Sequence, residues 1–480
     1  MVKQECTVSK VLESFKKLPL DAAYLKKAAH LRTRAERYEL GRALRVSSPR
    51  EAHAEYSIDA AGRQDPIEIL IDQGEGRISD LLPIRYGRML ASPFAFFRGA
   101  ASIMAADLAS VPNSGYAVQS CGDCHLMNFG AFATPERNVI FDINDFDETF
   151  PAPFEWDLKR LAASFVIASK HNGHKLEDAL DAARHVVESY RDRLHELAEM
   201  KALEAWYSYL DYEELIDLSD DPKLKKRHKK ALDKALSRDS NEEFVKLAHV
   251  IDGVPKIKEV PPLVFHPPKD QGFDLHERVI YGLDDYRNSL PIERRVLFDR
   301  YEYCDVAMKV VGVGSVGTHC AVLLFFSAEG DPLFLQIKEA KASILERYVD
   351  SPSFAHQGER VVFGQKLMQA ATDVFLGYLT GVQGRQAYVR QLRDVKVKPL
   401  VEIYSPKNML DFARHCGWAL ARAHARSGDA AVMAGYIGKG KTFPSAIVQF
   451  AEAYTEQNNN DHAMLIEAVR DSRVEAVTDV

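Results

Sequence analysis

Acidic and amide side chains are concentrated in two neighbouring motifs of this 480-residue chain, CGDCHLMNFG and FDINDFDET. The first motif contains Asp123, His125 and Asn128, and the second supplies four acids, of which Asp142 and Asp145 are the candidates for metal binding and the others are Asp147 and Glu148. Phosphoryl transfer requires such a set, in which one Asp accepts or orients the proton of the attacking hydroxyl. An Asn and another Asp then hold Mg²⁺ against the nucleotide phosphates. The motifs therefore predict a catalytic Asp123 with His125 bracing its loop, and Mg²⁺ ligands at Asn128 and one of the two later acids.

The order D-x-x-x-x-N followed by a strand-borne Asp resembles the catalytic and metal-binding loops of the protein-kinase-like superfamily. The similarity is greatest to its aminoglycoside and small-molecule phosphotransferases, which read H-G-D-x-H-x-x-N and then I-D-F-x-D/E; here Cys121 replaces the leading His. In that family the metal-binding Asp follows the Asn at a usual spacing, and the same spacing counted from Asn128 ends beside Asp142. The family also has a second Asp at the start of a helix, and the spacing from Asp145 to Asp157 matches the spacing between its two Asp residues. The resemblance implies Asp145 as metal ligand, with Asp142 as the alternative. It also implies that Asp157 caps a helix and braces the catalytic loop.

Cys121, Cys124 and His125 also spell C-x-x-C-H, the attachment motif of c-type haem. Haem attachment normally follows export, and the N-terminal sequence MVKQECTVSKVLESFKKLPL contains no apolar run of signal-peptide length. A structural zinc site would need further ligands, for which the sequence shows no obvious partner pair. Haem and zinc are therefore the weaker interpretations of this motif.

A second chemical pattern occurs much later, in VGVGSVGTHCAVLLFF and LFLQIKEA. Gly312, Gly314 and Gly317 form G-x-G-x-x-G, which in a dinucleotide-binding fold would open a helix, but the residues that follow are strand-like. A hairpin with a glycine-rich turn and Lys338 on the next strand resembles the V-A-I-K region of kinases. The resemblance implies that the glycines cover the triphosphate and that Lys338 holds the α and β phosphates.

In that resemblance the lysine needs a carboxylate partner on a neighbouring helix. Glu359, in a helix predicted over 357–376, is the favoured partner, and Glu346 is the nearer alternative. Arg98, in FFRGAA, is a further candidate, either for contact with substrate or phosphate or for a structural salt bridge.

The two patterns occur in the reverse of the order found in ordinary kinases, where the glycine loop and Lys precede the catalytic loop. A third segment, ALARAHARSGD (419–429), resembles the L-A-x-x-H helix that runs into the H-G-D loop of small-molecule phosphotransferases. Its position after the lysine strand is the one that circular permutation requires. We therefore expect an α+β, protein-kinase-like, two-lobed fold that is circularly permuted, with additional N-terminal helices.

This expectation divides the chain into four parts. They are a helical N-terminal extension (1–80), a carboxy-lobe-like part with the catalytic and metal loops (81–265), an amino-lobe-like part with the glycine-rich hairpin (266–404) and C-terminal helices that complete the carboxy lobe (405–480). The break near 265 is placed by the proline-rich stretch DGVPKIKEVPPLVFHPP.

Six segments together resemble a bacterial family catalogued as domain of unknown function 2252. They are SPFAFFRGAA, GDCHLMNFG, FDINDFDET, EWDLKRLAAS, YVRQLRDVK and LARAHARSGD, and the resemblance spans roughly 80–455. It implies a fold and no substrate.

Composition limits the classes of partner. The formal net charge of −7 argues against a surface built to grip nucleic acid, and no apolar stretch is long enough to span a membrane. Six scattered cysteines do not form a disulfide framework, so the cytoplasm is the expected compartment.

Together these patterns predict an ATP- and Mg²⁺-dependent phosphotransferase. Its hydroxyl acceptor is unidentified, a small molecule being favoured over a protein. Two alternatives share the same nucleotide pocket: transfer of the AMP group, and a non-catalytic, pseudokinase-type ATP sensor.

Overall fold

The computed structural model describes residues 32–56, 62–218, 220–236, 240–268, 274–310, 312, 314, 316–392 and 395–478. The first 31 residues of the predicted N-terminal extension lie outside the described residues, as do 57–61 and Val311, Val313 and Ser315 of the glycine-rich turn. Within the described ranges, helices combine with antiparallel strand pairs. This confirms the expected α+β class. No helix within these ranges is both long and apolar enough to cross a bilayer.

The first helices precede the CGDCHLMNFG motif in the chain. They are α1 (Arg34–Ser47), α2 (Pro66–Gly74), α3 (Leu82–Leu90), α4 (Pro93–Gly99) and α5 (Ala101–Ala109). Ser92 caps α4 by accepting a hydrogen bond from the Ala95 N–H, and Pro93 occupies its first turn, as the sequence predicts.

The Ser92-Pro93 pair predicts a helix that opens there and runs until Pro112, and this prediction is wrong, because two helices occupy the segment. The chain breaks at Ala100, whose backbone (φ −108°, ψ 30°) is not helical. Gly99 precedes the break, and a Cβ at this position would lie only 2.7 Å from the Met89 sulfur. The glycine thus permits α3 and α4 to pack closely where the helix turns.

The catalytic motifs lie on two short antiparallel sheets and the helices after them. The elements are β1 (Ala117–Ser120), β2 (Phe129–Ala133), β3 (Val139–Ile143), β4 (Phe150–Pro153), α6 (Phe154–His171), α7 (Leu176–Glu199), α8 (Ala202–Tyr207), β5 (Leu210–Asp211), α9 (Tyr212–Asp217), α10 (Pro222–Leu236) and α11 (Ser240–Leu247). Strand β1 pairs with β4, and β2 forms a hairpin with β3. Helix α6 is buried over 154–169, on all its faces, so it is a central helix on which the catalytic motif rests.

The second half contains the larger sheet and the C-terminal helices. The elements are β6 (Ala248–Ile251), β7 (Val254–Ile257), β8 (Val264–Phe265), α12 (Leu275–Ser289), α13 (Ile292–Phe298), β9 (Tyr301–Lys309), β10 (Cys320–Ser327), β11 (Pro332–Glu339), α14 (Gln357–Met368), β12 (Gly377–Thr380), β13 (Gln386–Gln391), β14 (Lys396–Val397), α15 (Pro406–Ser427), α16 (Ala430–Ile437) and α17 (Thr442–Arg470). Six strands form one antiparallel sheet in the order β12-β13-β11-β10-β9-β8. The sequence AEGDP between AVLLFF and LFLQIKEA predicts a turn that joins two strands, and the antiparallel pair β10–β11 confirms this hairpin.

Side-chain alternation gives this sheet two different faces. Leu323 and Leu335 belong to an apolar cluster with Val279 of α12, whereas Lys338, on the opposite face, lies across from Tyr388 of β13. On that same opposite face, Val322 and Phe334 pack in a second apolar cluster with residues of the β6–β7 hairpin. Residues 248–265 thus pack with the sheet that follows them in the chain, and the end of the face near Lys338 is left polar.

Helix α15 ends beside the strand that leads into the catalytic motif. The Gln119 N–H donates a hydrogen bond to Ser427 Oγ at 2.8 Å, and a Cβ on Gly428 would lie 2.6 Å from a methyl of Val118. The end of the ALARAHARSGD segment is therefore in direct contact with β1, although about 310 residues of chain separate them.

Candidate functional site

A cavity of about 370 Å³ lies between the catalytic motifs and the polar end of the six-stranded sheet. Seven of the residues predicted to form the site line it, although they come from distant parts of the chain. They are Asp123, His125, Asn128, Asp145, Gly312, Gly314 and Lys338. Three other predicted residues, Asp142, Gly317 and Glu359, do not line it.

Asp123 lies on the loop after β1, and its two carboxylate oxygens have different surroundings. Arg160 of α6 binds Oδ1 through Nε at 2.8 Å and a terminal nitrogen at 2.6 Å. The Oδ2 oxygen faces the glycine-rich turn, where a Cβ on Gly314 would lie 4.0 Å away. Burial raises the pKa of Asp123, and the charges of Arg160 and Arg98 oppose that rise. The arrangement fixes the carboxylate and leaves Oδ2 available to a ligand.

His125 and Asn128 shape the catalytic loop by local hydrogen bonds. His125 Nδ1 accepts from the Met127 N–H at 3.2 Å, and its Nε2 lies 3.8 Å from Asp123 Oδ2. Burial, with nearby Arg98 and Arg160, lowers the pKa of His125 well below its usual value, so the ring is neutral at physiological pH. Asn128 Nδ2 donates to the Asp123 carbonyl at 2.8 Å, which leaves Asn128 Oδ1 as an acceptor or cation ligand.

Asp157 holds the start of this loop from below. Its carboxylate accepts hydrogen bonds from the Cys121 N–H at 2.7 Å and the Gly122 N–H at 3.0 Å, and it lies 3.1 Å from His424 Nε2. The expectation that Asp157 caps a helix is wrong, because α6 begins at Phe154 and its N-cap is Pro153. The observed contacts are nevertheless those of a residue that braces the loop.

Asp145 follows β3 and presents an unsatisfied oxygen. Its Oδ1 is buried, has no hydrogen-bond partner among the described residues and lies 3.9 Å from Lys338 Nζ. Burial and the adjacent Asp147 charge raise its pKa, and Lys338 opposes this. A buried carboxylate oxygen without a proton donor, in the same cavity as the free Asn128 Oδ1, provides the oxygen ligands that a hard divalent cation such as Mg²⁺ prefers.

Lys338 is paired with Asp147, which the sequence reasoning did not single out. Its ammonium forms an ion pair with the Asp147 carboxylate, which also accepts a hydrogen bond from the Tyr388 hydroxyl. Burial opposes the ionisation of Asp147, but Lys338 and Tyr388 hold its pKa at about 2. Burial likewise disfavours the charged form of Lys338, but the attraction of the Asp147 carboxylate is stronger than this effect, so the lysine pKa is raised.

The two glutamates considered as partners of Lys338 lie elsewhere. Glu359 is exposed in the first turn of α14, and Glu346 lies 3.9 Å from Arg360. Arg360, the residue after Glu359, donates hydrogen bonds to the Asp147 carbonyl at 2.9 Å and the Thr149 carbonyl at 2.6 Å. Helix α14 therefore contacts the segment after β3 through Arg360. The carboxylate partner of Lys338 is Asp147, which belongs to that segment. A second acid two positions after Asp145 was the available sequence signal.

The carboxylate of Asp142 is bound by other groups of the protein. Both of its oxygens contact Arg422 of α15, at 2.7 and 2.8 Å, and Oδ2 also accepts from the Ala370 N–H at 2.8 Å. The residue is 1% exposed. These contacts give Asp142 a structural role between β3 and α15, and Asp145 is the acid that faces the cavity.

The glycine-rich turn is held over the cavity by the segment after α2. A terminal nitrogen of Arg77 donates to the carbonyls of Gly314 at 3.0 Å and Val316 at 2.6 Å, and the Ile78 N–H donates to the Gly317 carbonyl at 2.7 Å. Gly317 has a φ of +86° and packs against the Arg77 side chain, so it shapes the turn without reaching the cavity. The N-terminal helices thus cover the same side of the cavity as the turn.

The backbone of the CGDCH motif is hydrogen-bonded, and its two cysteine thiols are uncharged. The ligand atoms of Cys121, Cys124 and Asp157 lie within 4.8 Å of one another, close enough in principle for a cation. Burial raises the pKa of both thiols, that of Cys124 to about 11, and Asp157 is already engaged with two backbone N–H groups. Metal binding by thiolates would have to overcome both effects.

The fold and site define an α+β protein with a polar cavity in which acidic, amide, lysine and glycine residues from two distant regions meet. The chain belongs to the family described as uncharacterized proteins conserved in bacteria (DUF2252), whose model matches residues 77–468. Neither the curated proteins nor the solved structures contain a match to the chain.

Proposed function

We propose that this protein is an ATP- and Mg²⁺-dependent phosphotransferase with a circularly permuted, kinase-like arrangement. One observation carries the proposal: Lys338 and Asp147, 191 positions apart in the sequence, form an ion pair in the cavity that Asp123, Asn128, Asp145 and two glycines of the turn also line. Such a set performs the positioning and electrostatic stabilisation on which phosphoryl transfer depends.

The order of elements supports the permuted arrangement. A hairpin with a glycine-rich turn, a lysine strand, a helix and two further strands occur in sequence as β9, β10, β11, α14, β12 and β13, which is the order expected for an amino lobe. Helix α15 follows, and its end contacts β1, which leads into the loop of Asp123. In the kinase-like superfamily the corresponding helix runs directly into that loop. Here the connection is made in space, by contact of Ser427 with Gln119.

The geometry suggests a role for each side chain. The acceptor hydroxyl donates its hydrogen bond to Asp123 Oδ2, while Arg160 holds Oδ1 and keeps the carboxylate oriented. Asp145 and Asn128 would hold Mg²⁺, which neutralises charge on the phosphates when it is bound. Lys338 contacts the phosphates of the nucleotide, and the backbone of Gly312 and Gly314 covers them.

A small acceptor fits this site better than a protein. Helices α2, α4 and α5 contribute Gln73, Arg98, Gly99 and Ala101 to the cavity wall on the side of Asp123. Arg77 joins this wall to the glycine-rich turn, so the acceptor side of the cavity is bounded by both.

The decisive measurement is isothermal titration of the purified protein with a non-hydrolysable ATP analogue, with and without Mg²⁺. We expect Mg²⁺-dependent binding that is lost in Lys338→Ala and in Asp145→Ala. Lys170→Ala and Asp192→Ala, at exposed ion pairs, are the matched controls and should bind as the wild type does. Absence of binding by the wild type, or retention by both site variants, would contradict the proposal.

Product mass then identifies the reaction. A phosphoryl gain on the acceptor supports the proposed transfer, whereas an adenylyl gain would identify AMP transfer in the same pocket. Tight nucleotide binding without turnover, unaffected by Asp123→Asn, would instead identify a nucleotide sensor.

A further inference from the structure

Arg98 is a cavity cation that forms no ion pair within the part of the chain that the structure describes. It lines the cavity from α4, and its Nε is buried without a hydrogen-bond partner among the described residues. Its guanidinium carbon lies 6.0 Å from the ring centre of Phe94, a contact that supports the side chain without neutralising it. Burial lowers the pKa of Arg98, and the Asp123 charge opposes this. The sequence left open a structural salt bridge for Arg98, and among the described residues none is present.

Other cations of the cavity are engaged with protein groups. Lys338 has a carboxylate partner, Arg77 and Lys341 donate to backbone carbonyls, and Arg390 donates to a side-chain amide. Arg98 thus differs from them, because a half-buried guanidinium whose Nε–H is buried and unsatisfied gains most from an anion supplied from outside.

The position of Arg98 is on the side of the acceptor. A Cβ on Gly314 would lie 3.6 Å from the Arg98 carbonyl and 4.0 Å from Asp123 Oδ2, so the turn passes close to both residues. Lys338, which is assigned to the nucleotide, is paired with Asp147 and lies 3.9 Å from Asp145, which is assigned to the metal. The charge of Arg98 acts on the Asp123 carboxylate and opposes the rise of its pKa that burial causes, so a ligand whose hydroxyl reaches Asp123 Oδ2 has the Arg98 guanidinium near it.

We infer that the acceptor is a small molecule that carries an anionic group, carboxylate or phosphate, as well as the hydroxyl, and that Arg98 binds this anion. The inference rests on the proposed function and adds the class of acceptor. An arginine is suited to this task, because its planar fork can bind two oxygens of either anion at once. The same anion would be attracted by the net positive charge that Arg77, Lys396 and Lys398 add to the cavity lining.

Inorganic phosphate is the probe for this subsite. We would titrate it calorimetrically into the full-length protein saturated with Mg²⁺ and the non-hydrolysable ATP analogue, so that the nucleotide phosphates already fill their own places. Wild type should bind phosphate, Arg98→Gln should bind it at least about tenfold more weakly, and Arg98→Lys should be intermediate. Arg42→Gln, at an exposed ion pair of α1, is the control and should be unchanged. Thermal melts establish that each variant is folded.

Three results would overturn the inference. The first is equal phosphate affinity in wild type and Arg98→Gln, and the second is no phosphate binding by the wild type loaded with the nucleotide analogue. The third is a loss of nucleotide affinity in Arg98→Gln as large as its loss of phosphate affinity, which would assign the arginine to the nucleotide. Failure of the proposed function is separable, since it appears as no nucleotide binding at all. In that case phosphate titration of the nucleotide-free protein decides: binding that needs Arg98 but not Lys338 supports the anion site, and any other pattern refutes it.

Discussion

Lys338 and Asp147 form a buried ion pair across 191 positions of sequence. The pair joins the lysine strand of the large sheet to the segment that follows β3, and Tyr388 donates a further hydrogen bond to the same carboxylate. Because the lysine is only 4% exposed, the protein cannot solvate its charge if the partner is removed.

Asp147→Asn should therefore destabilise the fold by about 3 kcal/mol, since it leaves the buried ammonium with only the more distant Asp145 carboxylate, 3.9 Å away. Glu359→Gln, at the exposed residue of α14 that the sequence favoured as lysine partner, should change the free energy of unfolding by less than about 0.5 kcal/mol. Urea unfolding of the two variants beside the wild type measures both values. Equal effects would mean that the helix glutamate also supports Lys338.

The two candidate metal acids should behave in opposite ways. Asp142→Asn weakens a fully buried pair with Arg422, so it should cost about 3 kcal/mol of stability. Asp145→Asn removes a carboxylate whose ionised form is disfavoured by burial and by the Asp147 charge, so the stability of the fold should be unchanged or higher. The same variant should lose Mg²⁺-dependent nucleotide binding. Unfolding and titration calorimetry on the same preparations separate the roles. Loss of Mg²⁺ dependence in a folded Asp142→Asn protein would refute the assignment.

Asp157→Asn should cost about 2 kcal/mol, because the amide offers one acceptor oxygen where the carboxylate accepts two backbone N–H groups. Asp178→Asn is the matched control, since it also removes an acid from the first turn of a long helix, α7. Urea unfolding compares them. A similar small loss in both variants would show that Asp157 acts only on the helix dipole.

Glu148 provides a pH-dependent prediction. Burial raises its pKa to about 6, so its ionisation is less favourable in the folded state than in the unfolded chain. The stability contributed by the protonated form is present below about pH 4.5 and is lost as pH rises through about 6. Glu148→Gln should consequently be more stable than wild type at pH 7 and similar at pH 4. Denaturant melts at the two pH values test this, with Glu359→Gln as control, and an equal difference at both pH values would contradict it.

The pH dependence of turnover should report Asp123 and not His125. Burial raises the pKa of Asp123, so activity should fall on an acid limb above the ordinary pKa of an aspartate, 3.8, as the base becomes protonated. The lowered pKa of His125 places its titration below neutrality. A pH profile of kcat/KM for wild type and His125→Gln checks this. An acid limb near pH 6.5 that disappears in the variant would instead assign the base to His125.

Much of the local structure could be predicted from pattern. Strands β10 and β11 follow from short apolar runs on either side of a turn, and α4 and α15 begin where Ser-Pro pairs place a cap and a first-turn proline. Helix lengths were less predictable: α14 ends at Met368, before the expected 376, and the sequence pattern predicts a helix near 443–457 where α17 continues to Arg470. Helix ends depend on which neighbours cover the last turns, and that information is not local.

The sequence by itself determined the chemical character of the loop 121–128, because Asp123, His125 and Asn128 are linked by hydrogen bonds within a few residues. It also placed Lys338 on a strand after a glycine-rich turn. Only the tertiary structure decided which acid pairs with that lysine, whether Asp142 or Asp145 faces the cavity, and that Arg98 has no ion-pair partner among the described residues. Those choices depend on contacts such as Arg422 with Asp142 and Arg160 with Asp123, in which residues brought together by packing across the core compete for the same carboxylates.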